Sequence, residues 1–351
     1  MKNRVGLALE GGGAKGSYEI GAYVALQELG YKFNAVAGTS IGSLNAALIA
    51  QKNIKLAKEL WLNADSEIIG INKEIVKLHK NFKFNKDNIK LSISEISKVL
   101  KNKGLDITNY KKILDNYINE DQIRKSNINY GLVTVRLKDL KPLELTIDEI
   151  KKGELSNYIM ASSYLPVFKM QKIIDDSYYL DGGVSNNLPI SLLERMGCNK
   201  VIAIRINGIG VSKKKLISKT EVIELAPTKD TGPVIFFDNK DIINNYYMGY
   251  YDTLLHLNKI DGFKYYFKKF KLYNFISRKI DKNLINLLKL KFRTPNNKET
   301  ILKSIELILE ENNIDYYKLY SIPKILKYIK TNNFKSKNKL VNDYIYNLKF
   351  L

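Results

Sequence analysis

The sequence predicts an α/β fold in three layers, a largely parallel central sheet between helices, with a basic helical region at the C-terminal end. Three observations carry that reading. Short apolar runs recur at Val5–Leu9, Asn34–Ala37, Ile128–Arg136, Ser177–Leu180 and Lys200–Ile206. Stretches with helical spacing separate them, the alternation from which parallel sheets are built. Glycine-rich turns close several of the runs, where a chain leaving a strand must change direction at once.

The first run leads into Leu9-Glu10-Gly11-Gly12-Gly13-Ala14-Lys15-Gly16-Ser17. A strand, a glycine turn and a helix together present backbone N–H groups to something negative. By letter, Gly11, Gly13 and Gly16 fit the dinucleotide fingerprint, which also needs an acidic residue about 20 positions on. Asn34 to Ser40 contains none. The triphosphate loop requires Lys where Ser17 stands, and Lys15 comes two positions early. Both nucleotide readings therefore fail on a specific residue. Beyond the turn, Tyr18, Ala22, Ala25, Leu26 and Leu29 share one helix face that stops at Gly30.

The second run delivers Gly38-Thr39-Ser40-Ile41-Gly42. A serine on a sharp strand-to-helix turn needs tiny residues two before and two after it, because side chains there would strike the crossing backbone. Ser43, Asn45, Ala46, Ala47 and Ala50 continue as small residues that suit a helix packed closely on a sheet. So short a pattern also arises by chance. Beside the preceding glycine turn it reads as a nucleophile, since a serine attacking an ester carbonyl creates an oxyanion that backbone amides can hold.

A serine needs a base, and the chain has only two histidines, His79 and His256. The order Ser40, Asp181, His256 matches that of an α/β-hydrolase triad. However, His256 lies in "YMGYYDTLLHLNK", which reads as helix, and His79 stands among lysines. Ser40 also comes too early for the several strands that precede such an elbow. Asp181, in "SYYLDGG", is the better base: Gly182 and Gly183 turn the chain at once and leave the carboxylate at a strand end. Taken alone this would be an ordinary Asp-Gly turn.

The ordered set Gly11-Gly12-Gly13-Ala14-Lys15-Gly16, Gly38-Thr39-Ser40-Ile41-Gly42 and Asp181-Gly182-Gly183 resembles the patatin-like phospholipase family. Ala161-Ser162-Ser163-Tyr164-Leu165-Pro166-Val167-Phe168 is similar to the family's stretch ahead of the aspartate, and the resemblance runs over about residues 3 to 262. It implies a three-layer patatin-like fold and a Ser–Asp dyad, with Ser40 as nucleophile, Asp181 as base and Gly11, Gly12 and Gly13 as oxyanion hole. Lys15, Gly16, Gly38, Gly42, Gly182 and Gly183 support it as motif residues. Where the family usually has Arg, this chain has Lys15, which cannot make a planar bidentate contact. The activity implied is that of a serine lipid acyl hydrolase on phospholipid or another lipid ester, without cofactor or metal. A general carboxylesterase and a non-catalytic lipid-surface or partner-binding protein on the same scaffold are the alternatives.

Composition fits. The single Cys198 excludes a disulfide framework, and no Cys/His set has zinc spacing. The apolar run after Lys2 and Arg4 is too short for a signal peptide, and no stretch approaches the ~20 apolar residues of a membrane span. A cytoplasmic chain is expected, with peripheral membrane contact as an open reading. The division expected is a catalytic domain over 1–262 and a basic Lys/Asn/Tyr-rich region over 263–351. That region holds 20 Lys and Arg against 7 Asp and Glu, a surplus of 13 out of the chain's +21. An anionic lipid surface would suit it; biased composition and packing on the core would also explain it. No nucleic-acid signature is present. Residues Ile71 to Lys103, also basic and polar, read as a helical insertion.

Overall fold

The computed structural model describes residues 4–64, 107–166, 168–213, 217, 219–234 and 238–348. The expected insertion at 71–103, with His79, lies outside the described residues. The chain forms two compact units, residues 1–250 and 251–351.

The first unit opens with β1 (Val5–Leu9), α1 (Ser17–Glu28), β2 (Ala35–Thr39), α2 (Ile41–Ala50) and α3 (Ile54–Leu62). Two helices follow, α4 (Thr108–Tyr117) and α5 (Glu120–Arg124), then β3 (Asn129–Arg136), β4 (Lys141–Thr146) and α6 (Leu155–Ser162). The series closes with β5 (Tyr179–Asp181), α7 (Ile190–Arg195), β6 (Lys200–Ile204), β7 (Glu221–Leu225) and α8 (Asn239–His256), whose last turn passes into the second unit.

The sheet runs β4-β3-β2-β1-β6-β7. Strands β1, β2, β3, β6 and β7 are parallel, as the apolar runs separated by helices require. The central β2 is buried along its whole length, which is why its residues are apolar or small on both faces. Alternation along β3 sorts the two helical layers: the Tyr130 hydroxyl donates to the Ser43 carbonyl on α2, while Gly131 packs against Leu192 of α7. On α1 the expected face is buried at Tyr18, Ala22, Ala25 and Leu26, with Leu29 only half-buried. The helix stops at Gly30, whose φ of 82° is the left-handed termination that glycine adopts without cost.

Three strands of this sheet depart from the sequence reading; one is β7, which the apolar runs did not include and which pairs parallel with β6. β4 was not legible and is antiparallel to β3. β5 begins at Tyr179 rather than Ser177 and is also antiparallel to β3, so Asp181 does not end a member of the parallel set.

The second unit, described by itself, contains α9 (Tyr273–Ile276), α10 (Lys282–Phe292), α11 (Asn297–Glu311), α12 (Ile322–Thr331) and α13 (Lys339–Asn347). A short parallel pair joins β8 (Tyr266–Phe267) to β9 (Leu319–Tyr320). Its own core includes Leu288, Ile301, Ile305, Leu326, Ile329 and Tyr344. No helix among the described residues is long and apolar enough to cross a membrane.

Candidate active site

Two strands that end facing one another build the site. β2 occupies one edge of β3 as far as Thr39 opposite Val133, and β5 pairs with β3 from Arg136 back to Asp181 opposite Thr134. Because β4 covers the other edge of β3 over Gly131–Arg136, β2 and β5 lie end to end. Ser40, just past β2, and Asp181, the last residue of β5, therefore meet.

Ser40 has φ 54° and ψ −128°, a conformation that non-glycine residues avoid, at a cost of about 1–3 kcal/mol. Its surroundings hold it there. The Ser40 N–H donates to Ser162 Oγ at 2.9 Å, and Ser162 Oγ donates to the Val133 carbonyl at 2.6 Å. The Ser40 carbonyl accepts from Ser43 Oγ at 2.6 Å. The turn is possible because a Cβ at Gly38 would stand 2.0 Å from the Gly42 carbonyl oxygen, and one at Gly42 would stand 2.7 Å from that of Leu9.

Asp181 is buried, and Oδ1 accepts the Gly183 N–H at 2.7 Å. Burial pushes its carboxyl up to about 6 from the ordinary 3.8, against the pull of hydrogen bonds from the Ser40 side chain and the Gly183 N–H. A carboxylate so placed accepts a proton from a serine hydroxyl far more readily than an exposed one. Gly182 lies close enough to the Val133 carbonyl to exclude a side chain. His256 is exposed on the last turn of α8.

The glycine turn differs in one respect from expectation. The Gly11 N–H is committed to the Asn187 carbonyl at 3.1 Å and does not face an open site. The Ala14 N–H is likewise bound, to the Val234 carbonyl at 2.7 Å. Among the described residues, the N–H groups of Gly12 and Gly13 meet no protein acceptor. Gly13 has φ 58°, and a short helical turn over Gly13–Gly16 follows it. Gly16 packs against Trp61 and Ile41. Lys15 is buried, and its Nζ donates to the Asn207 carbonyl at 3.0 Å, so a single cationic donor serves where a bidentate one is not needed.

Three residues were missed as parts of the site. Ser162, quoted only within a motif, carries the Ser40 amide. Asn187 Nδ2 donates to the Gly11 carbonyl at 3.0 Å, completing a two-way link between the glycine turn and the segment after Asp181. The Asn186 carbonyl accepts from Thr39 Oγ1 at 2.8 Å. The only sequence signal for the asparagines is their place shortly after Asp181-Gly182-Gly183, beyond Val184 and Ser185. Among the described residues, no group of three or more His, Cys, Asp or Glu side chains is arranged to hold a metal ion.

Comparison with known proteins gives a sequence profile described as patatin-like phospholipase that matches residues 7–193, more than half of the chain. Patatin-like phospholipase domain-containing protein 6 of Mus musculus is 28% identical over 216 residues, covering 58% of this chain and 14% of that protein. Lysophospholipase nte1 of Aspergillus terreus is 24% identical over 209 residues, covering 58% of this chain and 12% of that protein. This chain thus spans a small fraction of the length of the curated relatives it matches. The crystal structure of VipD from Legionella pneumophila aligns with 99% of this chain and 83% of that one, at 16% identity and a TM-score of 0.44. The profile match covers the glycine turn, the Ser40 elbow and Asp181 alike, and the chain belongs to the patatin-like phospholipase family.

Proposed function

We propose that the protein is a serine lipid acyl hydrolase that cleaves carboxylic esters of phospholipids or lysophospholipids through a Ser40–Asp181 dyad. One observation carries the reading: β2 and β5 meet on one edge of β3, with Thr39 opposite Val133 and Asp181 opposite Thr134, which brings Ser40 to a buried carboxylate whose proton affinity burial raises. Asp181 takes the Ser40 proton as Oγ bonds to the ester carbonyl carbon, and the carbonyl electrons move onto oxygen. The N–H groups of Gly12 and Gly13 receive that oxyanion; Gly11 shapes the turn instead of donating. As the tetrahedral species collapses, Asp181 returns the proton to the leaving alcohol, giving an acyl-Ser40 ester. A water molecule, deprotonated by Asp181, then attacks the acyl carbon; collapse frees the carboxylic acid and Ser40 regains its proton.

The substrate class rests on family membership and on relatives that are named phospholipases and lysophospholipases. In this reading residues 1–262 form the catalytic region and 263–351 a basic appendage that favours anionic lipid surfaces. A fluorophosphonate should label the wild-type chain on a peptide containing Ser40, and Ser40→Ala should abolish both labelling and ester hydrolysis. Unchanged labelling of Ser40→Ala would sink the assignment.

A further inference from the structure

Two buried charged groups of the glycine turn, Glu10 and Lys15, take no part in the proposed chemistry, and both reach one loop, Glu10 pairing also with Arg205 at 3.4 Å. Glu10 Oε2 accepts the N–H of Ile206 at 2.7 Å and that of Gly208 at 3.2 Å. Lys15 Nζ holds the Asn207 carbonyl at 3.0 Å. On its other side, the loop donates the Val211 N–H to the Gly183 carbonyl at 2.8 Å, and a Cβ at Gly210 would meet both that oxygen and Asn187. Residues 207–211 are thus pinned between the glycine turn and the turn that carries Asp181.

What this loop presents outward is apolar. Ile209 is 48% exposed and Val211 55%, beside Val184 at 54% on the Asp181 turn. Leu140, Met170 and Tyr178, also exposed, lie in the β3–β4 turn and in the segment leading into β5, both beyond the carboxyl end of β3. Apart from Ile217 and Tyr247, these are the exposed large apolar residues of the first unit among the described residues. Exposed apolar residues scattered singly need no explanation, but their concentration at the end of the sheet where Ser40 sits does.

We propose that the loop Asn207–Val211, with the apolar residues around it, is a rim that sets into the hydrocarbon of a lipid surface and brings Ser40 to the ester level. The occupant follows from the proposed lipid-ester activity, on which this inference rests. An aggregated lipid holds its ester carbonyl at the boundary between headgroup and acyl chain. An enzyme mouth with an apolar lip can reach that depth without first extracting the lipid into water. Charge agrees: in the segments adjoining the rim Asp139 is paired with Arg136 and Asp176 with Lys172, which leaves exposed Lys138, Lys141 and Lys169 against Asp175, and long cationic side chains can reach headgroups while apolar neighbours enter the chains. The rigid anchoring by Glu10 and Lys15 explains why a surface loop should need two buried charges.

The test uses the full chain carrying Ser40→Ala, so that binding is read independently of turnover, and zwitterionic phosphatidylcholine vesicles in about 0.5 M salt, which screens the basic second unit. Ile209→Trp in this background should bind with a blue-shifted emission that brominated acyl chains quench, whereas the native Trp61, being buried, contributes a constant background. Ile209→Ser with Val211→Ser should weaken vesicle binding about tenfold, by removing two half-exposed apolar contacts. With Ser40 restored, the same pair should cut hydrolysis of vesicle lipid by a similar factor and leave turnover of a monomeric short-chain ester unchanged. The proposal is overturned if the Ser40→Ala chain does not bind these vesicles, if brominated chains leave the emission of the bound Ile209→Trp variant unquenched, or if both esters lose equally. Failure of the lipid-hydrolase reading would show separately, as absent turnover with vesicle binding intact.

Discussion

Ser40 and Asp181 end two strands that run toward each other along one edge of β3, with Thr39 opposite Val133 and Asp181 opposite the next residue, Thr134. Thr39, the residue before Ser40, and Asp181 therefore lie opposite consecutive residues of β3. That ladder is in turn stiffened by Thr134 Oγ1, whose single O–H is shared between the carbonyls of Ala161 and Leu180. In the proposed dyad, rigidity of this kind takes the place of a third orienting group.

The first prediction concerns pH. In the proposed mechanism Asp181 must be deprotonated to act as base, and burial pushes its carboxyl up to about 6. kcat/KM for a soluble ester should therefore rise with pH through about 6 and be largely lost below 5, a profile read from initial rates. The stability consequence has the opposite sign. The folded value lies above the ordinary 3.8, so the contribution is fully present below about 4 and is lost as pH rises through about 6. Asp181→Asn should thus be nearly inactive yet more stable than wild type at pH 8, by up to about 3 kcal/mol. His256→Asn should keep most activity. Urea melts and rates on the same samples check all three.

Strain at the elbow gives the second. Ser40→Ala keeps the positive φ of 54°, whereas Ser40→Gly relieves it. Both should be inactive, but the glycine variant should be about 1 kcal/mol the more stable by denaturant titration. A glycine variant less stable than the alanine one would mean that Ser40 is not strained.

The third addresses the residues that hold the site without reacting. Ser162→Ala leaves the buried Ser40 N–H without its acceptor, at a cost of about 1–3 kcal/mol. Asn187→Leu removes the Nδ2 donor to Gly11 at similar volume. Each should lower kcat by about tenfold or more through displacement of the elbow or the glycine turn, with KM for a small ester little changed. Steady-state kinetics and calorimetry would separate these losses from unfolding.

The fourth follows from the surplus of 13 positive charges after residue 262. Vesicle binding should strengthen with anionic lipid and weaken with salt, since each lysine near such a surface contributes about 1 kcal/mol. A chain ending at residue 262 that still melts cooperatively should lose activity on anionic vesicles far more than on a soluble ester. Equal losses on both would assign the region to support of the fold alone.

By itself the sequence determined the chemistry-bearing turns and most of the parallel sheet. Val5–Leu9, Ala35–Thr39 and Lys200–Ile204 are short apolar runs whose burial on both faces leaves little choice of residue. Gly38 and Gly42 betray the elbow because only a missing side chain permits that crossing of backbones. β4 escaped notice because Lys141–Thr146 is an edge strand, half-buried and opened by Lys141-Pro142, with too little apolar character to stand out. Only the tertiary structure decided the direction of β5, the commitment of the Gly11 amide to Asn187, and the use of Ser162, Glu10 and Lys15 as anchors. The reason is physical: local periodicity reports which residues are buried, whereas pairing direction and hydrogen-bond partners depend on segments distant in the chain, as β3 is from β5 and Gly11 from Asn187.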